Sequence, residues 1–396
     1  MEVKAPAHAN TAFSIIALSI TSFAFLLSPS AVATQPSQCD SVRYVSIDLG
    51  VLSQEFPFSS AQNLNDRGQV IGTSSVSEST GRGFIWDCER GMENIGALAP
   101  DDFVSFPLDI NDRGEIVGLD NDLQGSERAF IWDPKRGMRA ITGLASAYGI
   151  SNAGQVLGGS EGVIHLWTAQ NGAIPLESVI GVGPIQGAQI DASGRIGGVI
   201  GDIGSTQFFT WTSRHGVRLL GATPSDASRT DVEAVNARGD LSGILNFFDS
   251  GVITPYLLRA NGELELLAAN APRSAASAHS INDRRQIVGR MLEDDESFYL
   301  WDPTNGLRDL NEVLYGSPDG DGEARITQVA AINDAGWIAA SVQSATSGTV
   351  RAHLFVAVPG GNHKYDAISH WKGPRLCRAL DKLRDQSRRC DEAALR

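Results

Sequence analysis

One short phrase recurs seven times between Leu64 and Ala340: an apolar residue, a polar turn, Gly, then a second apolar stretch ending on a very small residue. The first copy reads Leu64-Asn65-Asp66-Arg67-Gly68-Gln69-Val70-Ile71-Gly72, and the second Ile110-Asn111-Asp112-Arg113-Gly114-Glu115-Ile116-Val117-Gly118. Later copies turn at Gly154, Gly194, Gly239, Arg285 and Gly336. Four positions before the turn stand Leu64, Ile110, Ile150, Ile190, Val235, Ile281 and Ile332, and two positions after it Val70, Ile116, Val156, Ile196, Leu241, Ile287 and Ile338. Two apolar strands joined by Asn-Asp-x-Gly form a β-hairpin signal. Asn or Asp accepts local backbone hydrogen bonds and Gly supplies the positive φ. At Arg285 the pattern breaks. A left-handed residue with a Cβ costs roughly 1–2 kcal/mol, so that turn is expected to differ from the others.

A second phrase follows each hairpin at a variable distance. Phe84-Ile85-Trp86-Asp87 is matched by the segments ending in Trp132-Asp133, Trp167-Thr168, Trp211-Thr212 and Trp301-Asp302. Gly follows five residues after each Trp, at Gly91, Gly137, Gly172, Gly216 and Gly306, and a further apolar stretch comes next. The fifth unit has Tyr256-Leu257-Leu258 instead, and the seventh has His353-Leu354-Phe355-Val356. A Trp in one register across units reads as core packing, because a ligand needs no such repetition. Four short strands per unit is the pattern of a β-propeller blade. The seventh unit lacks a fourth strand, whereas a spare one, Arg43 to Gly50, precedes the first. The sequence therefore predicts an all-β, seven-bladed propeller closed by its N-terminal strand, which leaves no open sheet edge at either chain end.

The Ala-x-x-Ile-Asn-Asp-x-Gly-Gln-Val-x-Gly phrase, with its following Trp and Gly-Met segments, resembles the HAF repeat of predicted extracellular bacterial proteins. The copies nearest that pattern run Ala61 to Gly72, Ala129 to Gly137 and Ala278 to Gly289, and the resemblance spans Tyr44 to Val358. It implies export and a repeat fold. It supplies no catalytic residues.

Residues 1–33 read as a secretory signal peptide, with Lys4, an apolar run over 11–27 and the small residues Ala31-Val32-Ala33. The propeller is assigned to 34–360 and a basic helical tail to 361–396, where Leu376, Leu380 and Leu383 share one helical side. The repeat body holds 22 basic and 40 acidic residues, about −18, whereas the tail is +4. Such a body does not suit nucleic acid or an anionic membrane, and no later segment is apolar enough for a membrane span. The expected location is periplasmic or extracellular. Four cysteines in an exported chain, Cys39, Cys88, Cys377 and Cys390, predict disulfides. The propeller geometry suggests Cys39 with Cys88 and Cys377 with Cys390.

Strand order puts the first-to-second and third-to-fourth turns at one face, where they are short and regular. The second-to-third loops and the links between units lie at the other face, where they vary. Variable loops on a rigid scaffold are where binding sits. Candidate ligand-binding residues there are Asp102, Phe103, Asp122, Phe247, Phe248 and Asp249. Asp319, Asp321 and Glu323 alternate as calcium ligands do, without the full twelve-residue loop, so no cofactor is expected other than a calcium ion there. The Asn-Asp pairs themselves read as turn chemistry rather than a ring of ligands. Catalytic signatures are wanting: Gly158-Gly159-Ser160-Glu161-Gly162 lies between repeat strands rather than at a strand-to-helix elbow, and the histidines are scattered. The expectation is a secreted, monomeric, non-catalytic propeller binding an extracellular protein or glycan. The alternative is a carboxylate-based polysaccharide hydrolase or lyase on the same face.

Overall fold

A computed structural model describes residues 42–394, apart from 123, 203–204, 248–250, 268–276, 292–296, 316–321, 323, 361–362 and 366. The signal segment, Cys39, Phe248, Asp249 and the Asp319, Asp321 and Glu323 set thus lie outside the described residues.

The chain is mostly β, in antiparallel sheets. In the first unit, strands Ser59–Leu64, Val70–Ser75, Gly81–Asp87 and Gly91–Gly96 pair in order. The second unit, Val104–Ile110 through Gly137–Ala140, repeats this and joins the first sheet through one parallel pair, Gly81 opposite Val104. Four-stranded sheets follow from Ser146–Ile150 to Gly172–Pro175, Ile185–Ile190 to Gly216–Ala222, Ala227–Val235 to Leu264–Leu266, and Ser280–Ile281 to Gly306–Asp309. The last sheet contains Ala324–Ile332, Ile338–Ser344 and Val350–Pro359. Its fourth strand is Val42–Asp48, which pairs antiparallel with Val350–Pro359 from Val42 opposite Pro359 to Asp48 opposite His353.

Apolar side chains fill the space between adjacent units. Ile71, Ile85 and Ile95 of the first unit pack with Ile110, Ile116, Phe130 and Trp132 of the second. Trp86, Trp132, Trp211 and Trp301 are all buried, and Trp167 packs half-buried against another such cluster. Their common register is packing chemistry. The very small residue four places past each turn has a steric cause. A Cβ at Gly72 would stand 1.9 Å from the Ser60 carbonyl oxygen, and one at Gly118 2.0 Å from that of Phe106. The first strand bulges there, with the register shifting between Ala61 and Asn63 and between Pro107 and Asp109. A bulge pushes its backbone toward the partner strand and re-aims the extra side chain.

The turn at Arg285 does not differ, which corrects the sequence expectation. Arg285 takes φ 62°, beside 74–85° at the six turn glycines. Its amide donates to the Asn282 carbonyl as the glycine amides do in their own turns. The backbone strain is offset from outside the turn. The Arg285 guanidinium reaches Asp240 of the preceding unit, Nε to Oδ2 2.8 Å, and Asp240 is fully buried.

Among the described residues three α-helices accompany the sheets: α1 (Leu176–Ile180), α2 (Leu310–Tyr315) and α3 (Gly373–Ala394), the last beyond the final strand. Leu376, Ala379, Leu380 and Leu383 of α3 enter one cluster with Trp86 of the first unit and Trp337 and Val356 of the last. The Ser387 hydroxyl donates to the Ala335 carbonyl at 3.0 Å. Cys377 is bonded to Cys88, with Cα atoms 5.2 Å apart. This overturns the suggested Cys39–Cys88 and Cys377–Cys390 pairs. Two cysteines 13 positions apart on one helix are separated by about 20 Å along its axis, too far for a disulfide. Docking of the apolar side of α3 instead carries Cys377 to the third-to-fourth turn of the first unit. Cys390 is also disulfide-bonded.

Candidate functional site

The Asn of each turn acts twice. Asn65 Oδ1 accepts from the amides of Arg67 and Gln69 at 3.1 and 3.0 Å, closing its own turn. Its Nδ2 then donates to the Asn111 carbonyl of the next unit at 2.9 Å. Asn111 reaches Ser151, Asn236 reaches Asn282, and Asn282 reaches Asn333 in the same way. Asn333 of the last unit donates to the Asn65 carbonyl of the first at 3.1 Å. All five of these Asn are buried. Units three and four carry Ser151 and Asp191 at this place. Neither has the amide donor, and a backbone bond from Asn152 N to the Ala192 carbonyl at 2.7 Å joins those units instead.

The following residue forms a second tier. The amide of Asp66 donates to Asp112 Oδ1, that of Asp283 to Asp334 Oδ1, and that of Asp334 to Asp66 Oδ1 at 2.9 Å. Four carboxylates are thereby drawn together at the mouth of a cavity of about 410 Å³. Asp109, Asp191 and Glu233, with Tyr148, Gln189 and His279, also line it. Asp109 borders one first-strand bulge, and Glu233 is the extra residue of another, where the register shifts between Val232 and Ala234. Among the described residues that line the cavity there is no Lys or Arg.

Proton affinities follow from this arrangement. Burial, reinforced by Asp334, Asp112 and Asp283, pushes Asp66 up to about 7. Burial raises Asp109 to about 7 against the donated amides of Ile150 and Ile110. It raises Glu233 to about 7 against the amide of Ala278. Burial and then Asp334 raise Asp283, and burial raises Asp191. Desolvation, followed by Arg290, lowers His279. The cavity thus holds carboxyl groups that exchange protons near neutrality, the range useful to an acid or base catalyst. Among the described residues no group of three or more His, Cys, Asp and Glu is placed to hold a metal ion.

The opposite ends of the sheets carry the variable connections. Seven large apolar residues are exposed among those described, and five of them lie here: Phe58, Phe103, Val163, Val182 and Val252. Phe103 is 46% exposed, yet its backbone is fixed, with its amide on the Asn121 carbonyl at 2.9 Å and its carbonyl accepting from Arg82 at 3.2 Å. The Phe58 carbonyl likewise accepts from the Ser75 amide and the Ser74 hydroxyl.

The described sequence candidates have different surroundings. Asp102 is buried and works as a brace: Arg128 bridges it to Asp120 at 2.6 and 3.0 Å, and the Ala99 amide donates to it. Burial and Asp102 push Asp120 up to about 7. Burial opposes ionisation of Asp102 too, but the hydrogen bonds from Asp120, Ala99 and Arg128 outweigh it and hold Asp102 below the usual range. Asp122 caps its own turn, accepting from the amides of Gln124 and Ser126. Phe247 is half-buried against the core cluster of units four and five. Of the described candidates, Phe103 is exposed and Asp102 is buried, with Asp122 and Phe247 between them.

The converging carboxylates escaped the sequence reading. Their signal is register: Asp66, Asp112, Asp283 and Asp334 each stand two positions before the turn residue. Asp109 and Glu233 have no repeated counterpart.

No protein-family model and no curated protein matches the chain. Solved structures similar to it include virginiamycin B lyase from Staphylococcus aureus, at 9% identity over 80% of this chain and 99% of that one, with a TM-score of 0.48. YCF48 bound to D1 peptide matches at 11% over 80% and 96%, TM-score 0.45. TolB from Acinetobacter baumannii matches at 11% over 72% and 79%, TM-score 0.37.

Proposed function

We propose that this chain is an exported, HAF-type, seven-bladed β-propeller that docks a protein partner through its variable-loop face and does no chemistry there. The Val42–Asp48 pairing and the Asn333-to-Asn65 bond support a ring closed between last and first units. No helix among the described residues is long and apolar enough to cross a membrane. The observation that carries the docking reading is the gathering of five of the seven exposed large apolar residues at the variable ends. Phe58 and Phe103 are held by fixed backbone, so little ordering entropy remains to be lost on association. Calcium at Asp319, Asp321 and Glu323 belongs to this proposal only as a loop stabiliser.

The test is site-specific photocrosslinking in producing cells, with the probe at Phe58, Phe103 or Val252 and a control at Leu219. A shared, defined adduct from the loop positions and none from Leu219 supports the reading. Equal labelling at all four overturns it. A second reading, a carboxylate-based hydrolase or lyase, is favoured by the cavity carboxyls Asp109 and Glu233 at about 7. Turnover of a polysaccharide that is abolished in Glu233→Gln would establish it instead.

A further inference from the structure

A groove of about 600 Å³ opens at the variable ends of units four and five, apart from Phe58 and Phe103. It is lined by the loop entering Gln207–Thr212, the link Ala222 to Ser225, and the start of Ala227–Val235. We infer that this groove is a binding site for a short neutral carbohydrate. The inference goes beyond the protein-docking reading and uses none of its residues.

The lining chemistry selects the ligand class. Ser205, Thr206, Thr223, Ser225, Ser228 and Thr230 contribute hydroxyls, and Gln186 and Gln207 contribute amides. Some of these are committed to the fold: Thr206 and Thr223 bond each other at 2.7 Å, and Ser228 donates to the Asn246 carbonyl. The side chains of Ser205, Gln207, Ser225 and Thr230 have no such partner among the described residues, which leaves them to water or a ligand. A hydroxyl both donates and accepts, so this wall matches a ligand that does the same at every position, as a sugar does.

Charge narrows the class further. Among the described residues that line it, the groove holds one cation and one anion, Arg229 and Asp231, and they pair with each other at 2.7 Å. In an acidic body this groove is therefore locally neutral, unlike the carboxylate-lined cavity at the opposite ends of the sheets. An anionic ligand finds no unpaired cation, and a cationic one no unpaired carboxylate. Val199, Ala222, Pro224 and Ala227 supply apolar patches for the C–H faces of a sugar ring. The volume lies within the range of small-ligand sites. The first strand of unit five also carries an extra bulge here, its register shifting between Ala227 and Arg229. Bulges of this kind re-aim side chains beside binding sites.

The experiment is calorimetric titration of the full chain with cello-, malto-, laminari- and chito-hexaose, each at low and high salt, with polygalacturonate as the anionic comparison. The expected result is saturable 1:1 binding of at least one neutral hexaose, insensitive to salt. Binding should weaken about tenfold or more in Thr230→Val, since it removes a polar contact. Thr230→Val keeps the shape of the side chain, and circular dichroism confirms its fold. Absence of binding to all four neutral sugars, binding of polygalacturonate alone, or undiminished binding in a folded Thr230→Val overturns the inference. Crosslinking at Phe58 and Phe103 is unaffected by any of these outcomes, so the two readings fail separately.

Discussion

Arg285 occupies the one repeat turn without glycine, and its guanidinium lies 2.8 Å from the carboxylate of Asp240, which is wholly buried in the preceding unit. The strain of a left-handed arginine and the cost of a buried carboxylate are each borne by the same contact. Removing one partner of a buried pair leaves the other charge uncompensated.

Arg285→Ala therefore loses the pair and keeps the strain, whereas Arg285→Gly loses the pair and relieves the strain. Both variants should be less stable than the parent. The alanine variant should be the worse by roughly 1 kcal/mol. Urea denaturation of the three proteins measures this, and an alanine variant as stable as the glycine variant would contradict it.

The two classes of carboxyl group give opposite pH slopes. Asp66, Asp109 and Glu233 have folded values raised to about 7. Between the ordinary carboxylate range near 4 and about 7 the folded state binds more protons than the unfolded, so these groups cost stability as pH rises. For Asp240, burial opposes ionisation, but the bonds to Arg285 and the Ala260 amide outweigh it and hold its pKa low. Its contribution is present above the ordinary range and lost on further acidification. Thermal unfolding should accordingly be latest at mildly acidic pH. Asp66→Asn, which keeps an acceptor for the Asp334 amide, should raise the midpoint at pH 8 by an amount worth on the order of 2 kcal/mol and have little effect near pH 4. A uniform shift at all pH values would exclude electrostatic repulsion as the cause.

Reduction of Cys88–Cys377, or Cys88→Ser, should destabilise the protein by ~2–5 kcal/mol. The change should be localised first at α3 and at its contacts in the first and last units. Amide exchange measured before and after reduction tests this. Faster exchange confined to units three to five would be inconsistent with it.

Gly118→Ala should cost about 3 kcal/mol or more, because the new Cβ stands 2.0 Å from the Phe106 carbonyl. Gly91→Ala meets nothing within 4 Å and should cost only the strain of its φ of 76°. Comparative chemical denaturation separates the two.

Much of the architecture was legible because it is local and repeated. The turn Asn, the left-handed residue, the Trp register and the very small residue past the turn each serve a need within one hairpin or between adjacent sheets, so they recur from unit to unit, the Asn and the Trp in five of the seven. The same repetition obscured the candidate site. Asp66 read as a turn residue because its neighbours in register are equally explained by turns. Asp109 and Glu233 carried no signal, since Gly149 and Ala188 hold the corresponding places in other units.

From its sequence alone this chain commits to antiparallel four-stranded units, to an acidic body and to a tail helix with one apolar side. Those properties follow from periodicity and composition, which short-range sterics and burial translate directly into local structure. Tertiary structure decided what meets across hundreds of residues: Asn333 with Asn65, Cys377 with Cys88, and seven carboxylates around one cavity. No local rule relates such pairs. Their proximity exists only once the sheets are assembled side by side, and the raised proton affinities of Asp66, Asp109, Asp191, Glu233 and Asp283 follow first from the burial that assembly imposes.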